Sequence, residues 1–186
     1  MLAHRSRNWV RGPADGRGWR WLAALVLSGG LALTAAPAGA VWTAAVQPDP
    51  VTRQSRCLLS SQSLIISDGY DSTPVQLVFN GASLLVVTQS ELDPSFADLQ
   101  LVVDRNPPIH SEKTARDMIL VFDQNLPELV RQLREGRQAT VYLRFWPTWP
   151  ATQSFPVNFS LVGFSKAHDA LNQNCQPPAN PSPPSA

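Results

Sequence analysis

Pro74-Val75-Gln76-Leu77-Val78-Phe79-Asn80-Gly81-Ala82-Ser83-Leu84-Leu85-Val86-Val87-Thr88 is the stretch that decides the fold. Two apolar, β-prone runs flank an Asn-Gly pair. That is the strongest short-range hairpin signal, because both central residues of a type I′ turn need positive φ. A two-residue loop pairs Phe79 with Ala82, Leu77 with Leu84 and Val75 with Val86, so six apolar side chains share one face. Pro74, lacking an amide hydrogen, suits the first position of a strand.

Outward from the hairpin the same logic predicts strands over Arg56–Ile66, Leu99–Val103, Met118–Phe122, Thr140–Trp146 and Phe155–Phe164; in the last, Phe155, Val157, Phe159 and Leu161 alternate. Asp68-Gly69, Asp93-Pro94 and Asn106-Pro107-Pro108 mark turns. Two short helices are expected. The first is capped by Asn125 with Glu128 three residues on, as in a capping box, carries Leu126, Leu129, Val130 and Leu133 as one stripe, and ends at Gly136. The second starts at Ser165 and runs through Ala167, Ala170 and Leu171. The predicted fold is mainly β, a sandwich-like pair of antiparallel sheets with one or two short helices.

The chain's beginning reads as an address. Arg5, Arg7, Arg11, Arg17 and Arg20 precede an apolar segment, Trp21 to Ala36, and Ala38-Gly39-Ala40 supplies a small-residue cleavage site, which predicts a signal peptide over residues 1–40. Gly29-Gly30 and Pro37 interrupt the apolar run that a membrane-spanning helix would need, so no integral membrane segment is expected after cleavage. Residues 41–55 read as a flexible lead-in, 56–175 as a single domain, and 176–186 as a disordered Pro-rich tail. Residues 41–186 hold ten Lys+Arg against thirteen Asp+Glu, a net charge of −3, so neither nucleic acid nor anionic lipid is a favoured partner. Cys57 and Cys175 bracket the predicted domain, and in an oxidising compartment they pair.

No cluster announces catalysis, metal or cofactor binding. His110 follows the double proline and His168 lies on the second helix, and neither has a ligand-like neighbour at workable spacing. Glu91 with Asp93, and Asp68 with Asp71, could bind calcium or act as acid and base, but carboxylates beside Gly and Pro also serve turn geometry. Ser60, Ser61 and Ser63 lack a nucleophile-elbow context. What reaches beyond scaffolding is Arg144-Phe145-Trp146-Pro147-Thr148-Trp149-Pro150. Arg144, Trp146 and Trp149 form a candidate binding surface, since exposed Trp and Arg dominate binding hot spots. The alternative is that the indoles cap the open end of a small β-core.

The C-terminal third, residues 126–175, resembles the invasion-associated locus B family of small secreted or periplasmic bacterial proteins. The resemblance rests on Leu129-Val130 and Leu133 before Gly136, Ala139-Thr140-Val141, Phe155 to Phe164 with its Ser-Leu-x-Gly-Phe ending, and Ala167 to Leu171. The chain departs from that pattern in having no cysteine pair around 107–117 and in carrying the Trp-Pro insertion. The resemblance implies a periplasmic or secreted envelope protein and no catalytic residues. The expected function is non-enzymatic binding of a protein or envelope component through a surface turn. Two alternatives stay open: an extracytoplasmic enzyme assembled by the fold around His110, and a structural subunit docking through a sheet edge.

Overall fold

The computed structural model describes residues 41–148 and 153–175. The predicted leader, the Pro-rich tail and Trp149 lie outside them. The described chain forms eleven strands: β1 Trp42–Pro48, β2 Ser55–Ser61, β3 Leu64–Ser67, β4 Ser72–Phe79, β5 Leu84–Val87, β6 Gln100–Val103, β7 Ile109–His110, β8 Thr114–Ala115, β9 Ile119–Phe122, β10 Gln138–Leu143 and β11 Phe155–Ser160. Helix α1 spans Leu126–Glu135, α2 spans Phe164–Asn172, and one 3-10 turn covers Pro94–Phe96. All strand pairings are antiparallel. One sheet runs β1-β2-β4-β5-β9-β8 with β3 alongside β4, and the other runs β11-β10-β6-β7.

The decisive hairpin forms, with its register moved by two residues. Phe79 pairs with Leu84 and Leu77 with Val86. Positive φ falls on Gly81 at 86° and not on Asn80, because Asn80 is a buried corner. Its Oδ1 accepts from the amides of Ala82 and Ser83 at 3.0 and 2.8 Å, and its Nδ2 donates to Asp49 at 3.1 Å. These bonds consume the side chain in closing the turn. A shift of two preserves which face each side chain occupies, so the apolar face survives the change of register.

That face meets the second sheet. Leu59, Val75, Leu77, Phe79, Leu84, Val86, Leu120 and Phe122 from the large sheet share one buried cluster with Leu101, Val103, Val141, Val157 and Phe159 from the small one. Leu129 and Leu133 of α1 and Phe164, Ala167 and Leu171 of α2 complete it. The disulfide Cys57–Cys175 ties β2 to the end of α2 across 118 residues.

Several local expectations are corrected. Residues 42–48, expected in a flexible lead-in, are β1, hydrogen-bonded along β2 from Trp42↔Ser61 to Pro48↔Ser55. The predicted strand 56–66 breaks at Gln62-Ser63 into β2 and β3. Asn125 precedes α1 in the left-handed region and makes no side-chain cap. Glu128 instead binds Arg131 and Gln132, and Arg131 holds its carboxyl at about 2. Gly163, at φ 89°, caps α2, while the hydroxyl of Ser165 donates to the Arg134 carbonyl at 3.0 Å.

Candidate functional site

Two connecting segments meet beyond the end of β10. Leu92 bridges antiparallel to Phe145, and both side chains are buried. The Asp93 amide donates to the Arg144 carbonyl and the Trp146 amide to the Glu91 carbonyl, each at 2.9 Å. Strand alternation then sends Glu91, Asp93, Arg144 and Trp146 to the side opposite Leu92 and Phe145. Glu91 stands opposite Trp146, and Asp93 opposite Arg144.

Arg144 is 8% exposed. Its Nε reaches both oxygens of Asp98, at 3.0 and 3.2 Å, and Nη2 also donates to that carboxylate. The guanidinium carbon lies 4.4 Å from the centre of the Phe96 ring, a cation–π contact. The bidentate geometry offsets much of the cost of removing the charge from water, and the Asp98 hydrogen bonds raise the Arg144 pKa. Nη1 of the same guanidinium is buried and finds no hydrogen-bond partner among the described residues.

Asp93 is fixed from several sides. Its carboxylate accepts from the Ser95 amide at 3.0 Å, from the Ser95 hydroxyl and from the Thr148 hydroxyl. Burial pushes its pKa up, but those hydrogen bonds, aided by the charge of Arg144, outweigh burial and hold it below the ordinary value. The Trp146–Pro147 peptide bond is cis.

The predicted binding residues thus take different places. Arg144 is a buried strut. Trp146 is 59% exposed, so it does not cap the core. Trp149 lies outside the described residues. Phe96, 52% exposed, was not foreseen, because Asp93-Pro94-Ser95-Phe96 reads as a turn and its contact with Arg144 spans 48 residues of sequence.

The other candidate residues lie elsewhere in the fold. Asp68 accepts from the amides of Tyr70 and Asp71 and from the Ser90 hydroxyl, which is turn chemistry. The Ser61 hydroxyl accepts from the Leu77 amide and donates to the Gln62 carbonyl, and that of Ser60 accepts from Gln47. Ser63 is exposed. His110 is exposed at the end of β7, opposite Gln100. His168 packs against the rings of Phe79 and Phe164, with Nδ1 2.9 Å from Arg134. Among the described residues no group of three or more His, Cys, Asp or Glu could hold a metal ion. Among them, too, no helix is long and apolar enough to cross a membrane.

No protein-family model and no curated protein match the chain. Among solved structures, the crystal structure of invasion associated protein B from Bartonella henselae is similar, with 21% identity and a TM-score of 0.45 over 72% of this chain and 92% of that one. At this level of likeness no functional residue carries over from it.

Proposed function

We propose that the protein is a non-enzymatic component of the bacterial envelope, working outside the cytoplasm and binding a protein or envelope component through the surface built on residues 91–98 and 144–146. One observation carries this reading. Trp146 presents a large exposed indole on a segment anchored from both sides, by Arg144 on Asp98 and by Thr148 on Asp93. An aromatic anchor held rigidly before contact loses little conformational entropy on binding. The long-range disulfide supports an oxidising compartment.

The test is a photo-crosslinking residue placed at Trp146 and, separately, at Val162, which is more exposed and lies in the turn before α2. A discrete adduct formed in intact cells from position 146 and not from 162 supports the reading. Equal labelling from both positions overturns it.

A second reading has its own observation. β1 ends the larger sheet and carries no charged residue, with proline at its last position alone. Such an edge lacks the usual guards against strand addition. If the protein docks by that edge, Val46→Lys abolishes assembly while Trp146→Ala leaves it intact.

A further inference from the structure

Resting on the binding reading above, we infer that this surface takes a cationic side chain, so that its partner is a protein segment bearing Lys or Arg. The ladder between the two segments is what assembles the surface. Glu91 and Trp146, both exposed, are neighbours next to the Leu92–Phe145 bridge, the Trp146 amide donating to the Glu91 carbonyl. An exposed indole beside a carboxylate offers a cation a ring face and a counter-charge together.

The charge balance points the same way. Asp98 and Asp93 lie beside Arg144, and with Glu91 the two segments carry three carboxylates against this one guanidinium, a balance of −2. Arg144 does not offer its charge to an incoming anion, because Asp98 holds its guanidinium from the side and Phe96 lies over it. An acidic segment would meet uncompensated carboxylates, and a neutral one would leave Glu91 unmatched at the contact.

The experiment is calorimetric titration of the oxidised protein at low ionic strength with hexa-arginine, hexa-glutamate and a hexameric N-acetylglucosamine chain. Variants Trp146→Ala, Glu91→Gln and Glu112→Gln are titrated alongside, each checked by thermal unfolding. Glu112 is exposed in the loop before β8 and loses the same charge outside the cluster. Expected is binding of hexa-arginine, weakened at least about threefold by Trp146→Ala and by Glu91→Gln, unchanged by Glu112→Gln, and lost at high salt. Equal weakening by Glu112→Gln, no effect of Trp146→Ala, preference for the acidic peptide or the glycan, or no binding of hexa-arginine would each overturn the inference. A position-specific adduct at Trp146 in cells, together with no hexa-arginine binding, overturns this inference while the binding reading stands.

Discussion

The indole Nε1 of Trp42 donates to the carbonyl of Ser160 at 2.7 Å, joining the edge strand of the larger sheet to the edge strand of the smaller one across 118 residues. The same ring meets Phe164 edge-on at 5.0 Å. A side chain at the start of β1 therefore holds both sheets and α2 together. Trp42→Phe keeps most of the apolar contact but leaves the Ser160 carbonyl unpartnered, and its expected cost is about 1 kcal/mol. Trp42→Ala also opens a cavity, at about 3–5 kcal/mol. Urea unfolding of the two variants separates hydrogen bond from packing; equal costs would show that the bond contributes nothing net.

Gly136 ends α1 for a steric reason. Its φ is −78°, a value that any residue adopts, but an added Cβ would lie 2.4 Å from Val103 Cγ1 and 2.8 Å from the Gln132 carbonyl. Gly136→Ala should destabilise by about 1–3 kcal/mol through overpacking. Val103→Ala removes one of the clashing groups, so the double variant should cost less than the two single costs added together, which a denaturation cycle measures. Strict additivity would mean that the backbone at Gln132, and not Val103, is the obstacle.

Replacing Cys57 and Cys175 by serine should lower stability by about 2–5 kcal/mol, because the cross-link removes a very long loop from the unfolded ensemble. Near-ultraviolet dichroism at low temperature should stay native, since Cys57 is only partly buried at the margin of the shared core and serine nearly matches its size. Loss of that signal would show that α2 depends on the bridge for docking.

What could be read from the sequence was what repeats locally. The apolar runs around Asn80-Gly81 fixed which side chains face inward even though the turn moved, since a two-residue shift keeps face identity. The Leu126–Leu133 stripe and the terminal positions of the cysteines were equally plain. β1 was missed because Trp42-Thr43-Ala44-Ala45-Val46 shows weak alternation and earns its pairing from β2 and Ser160, both distant in sequence. The site was half legible for the same reason. Trp146 and Arg144 advertise themselves by residue type, whereas Phe96 and Asp98 matter through contacts that only the folded chain makes.

His168 gives stability a dependence on pH. Burial between Phe79 and Phe164 lowers its pKa, the charge of Arg134 lowers it further, and Asp169 opposes both, leaving it below its ordinary 6.5. Arg134 and Asn172 lie within hydrogen-bond reach of Nδ1 and donate to it in the neutral ring. The unfolded chain therefore takes up the proton first. Stability contributed by the neutral ring is complete above pH 6.5 and declines as pH falls through the lowered folded value. The carboxylates held low by hydrogen bonds, such as Asp68 and Asp93, titrate below this window. Urea midpoints should drop between neutral pH and about pH 5 in the natural chain and change less in His168→Gln. Identical slopes would exclude His168 as the source.

Asp98→Asn and Trp146→Ala should divide the candidate site into its frame and its contact surface. Removing the Asp98 charge leaves the guanidinium of Arg144 buried against a neutral amide and should cost about 3 kcal/mol. Pairing Asp98→Asn with Arg144→Met should recover part of that loss, because an apolar side chain of similar length can lie under Phe96 without a counter-ion. Trp146→Ala removes an exposed ring and should change stability by no more than about 0.5 kcal/mol. Thermal unfolding of the three proteins decides the matter. If Trp146→Ala proves as costly as Asp98→Asn, the indole is part of the packing that holds Arg144, and a partner's contact must be sought elsewhere on the surface. If the costs separate as expected, then Trp146 is an aromatic side chain kept in water by a frame that stands without it, which is the arrangement a binding anchor requires.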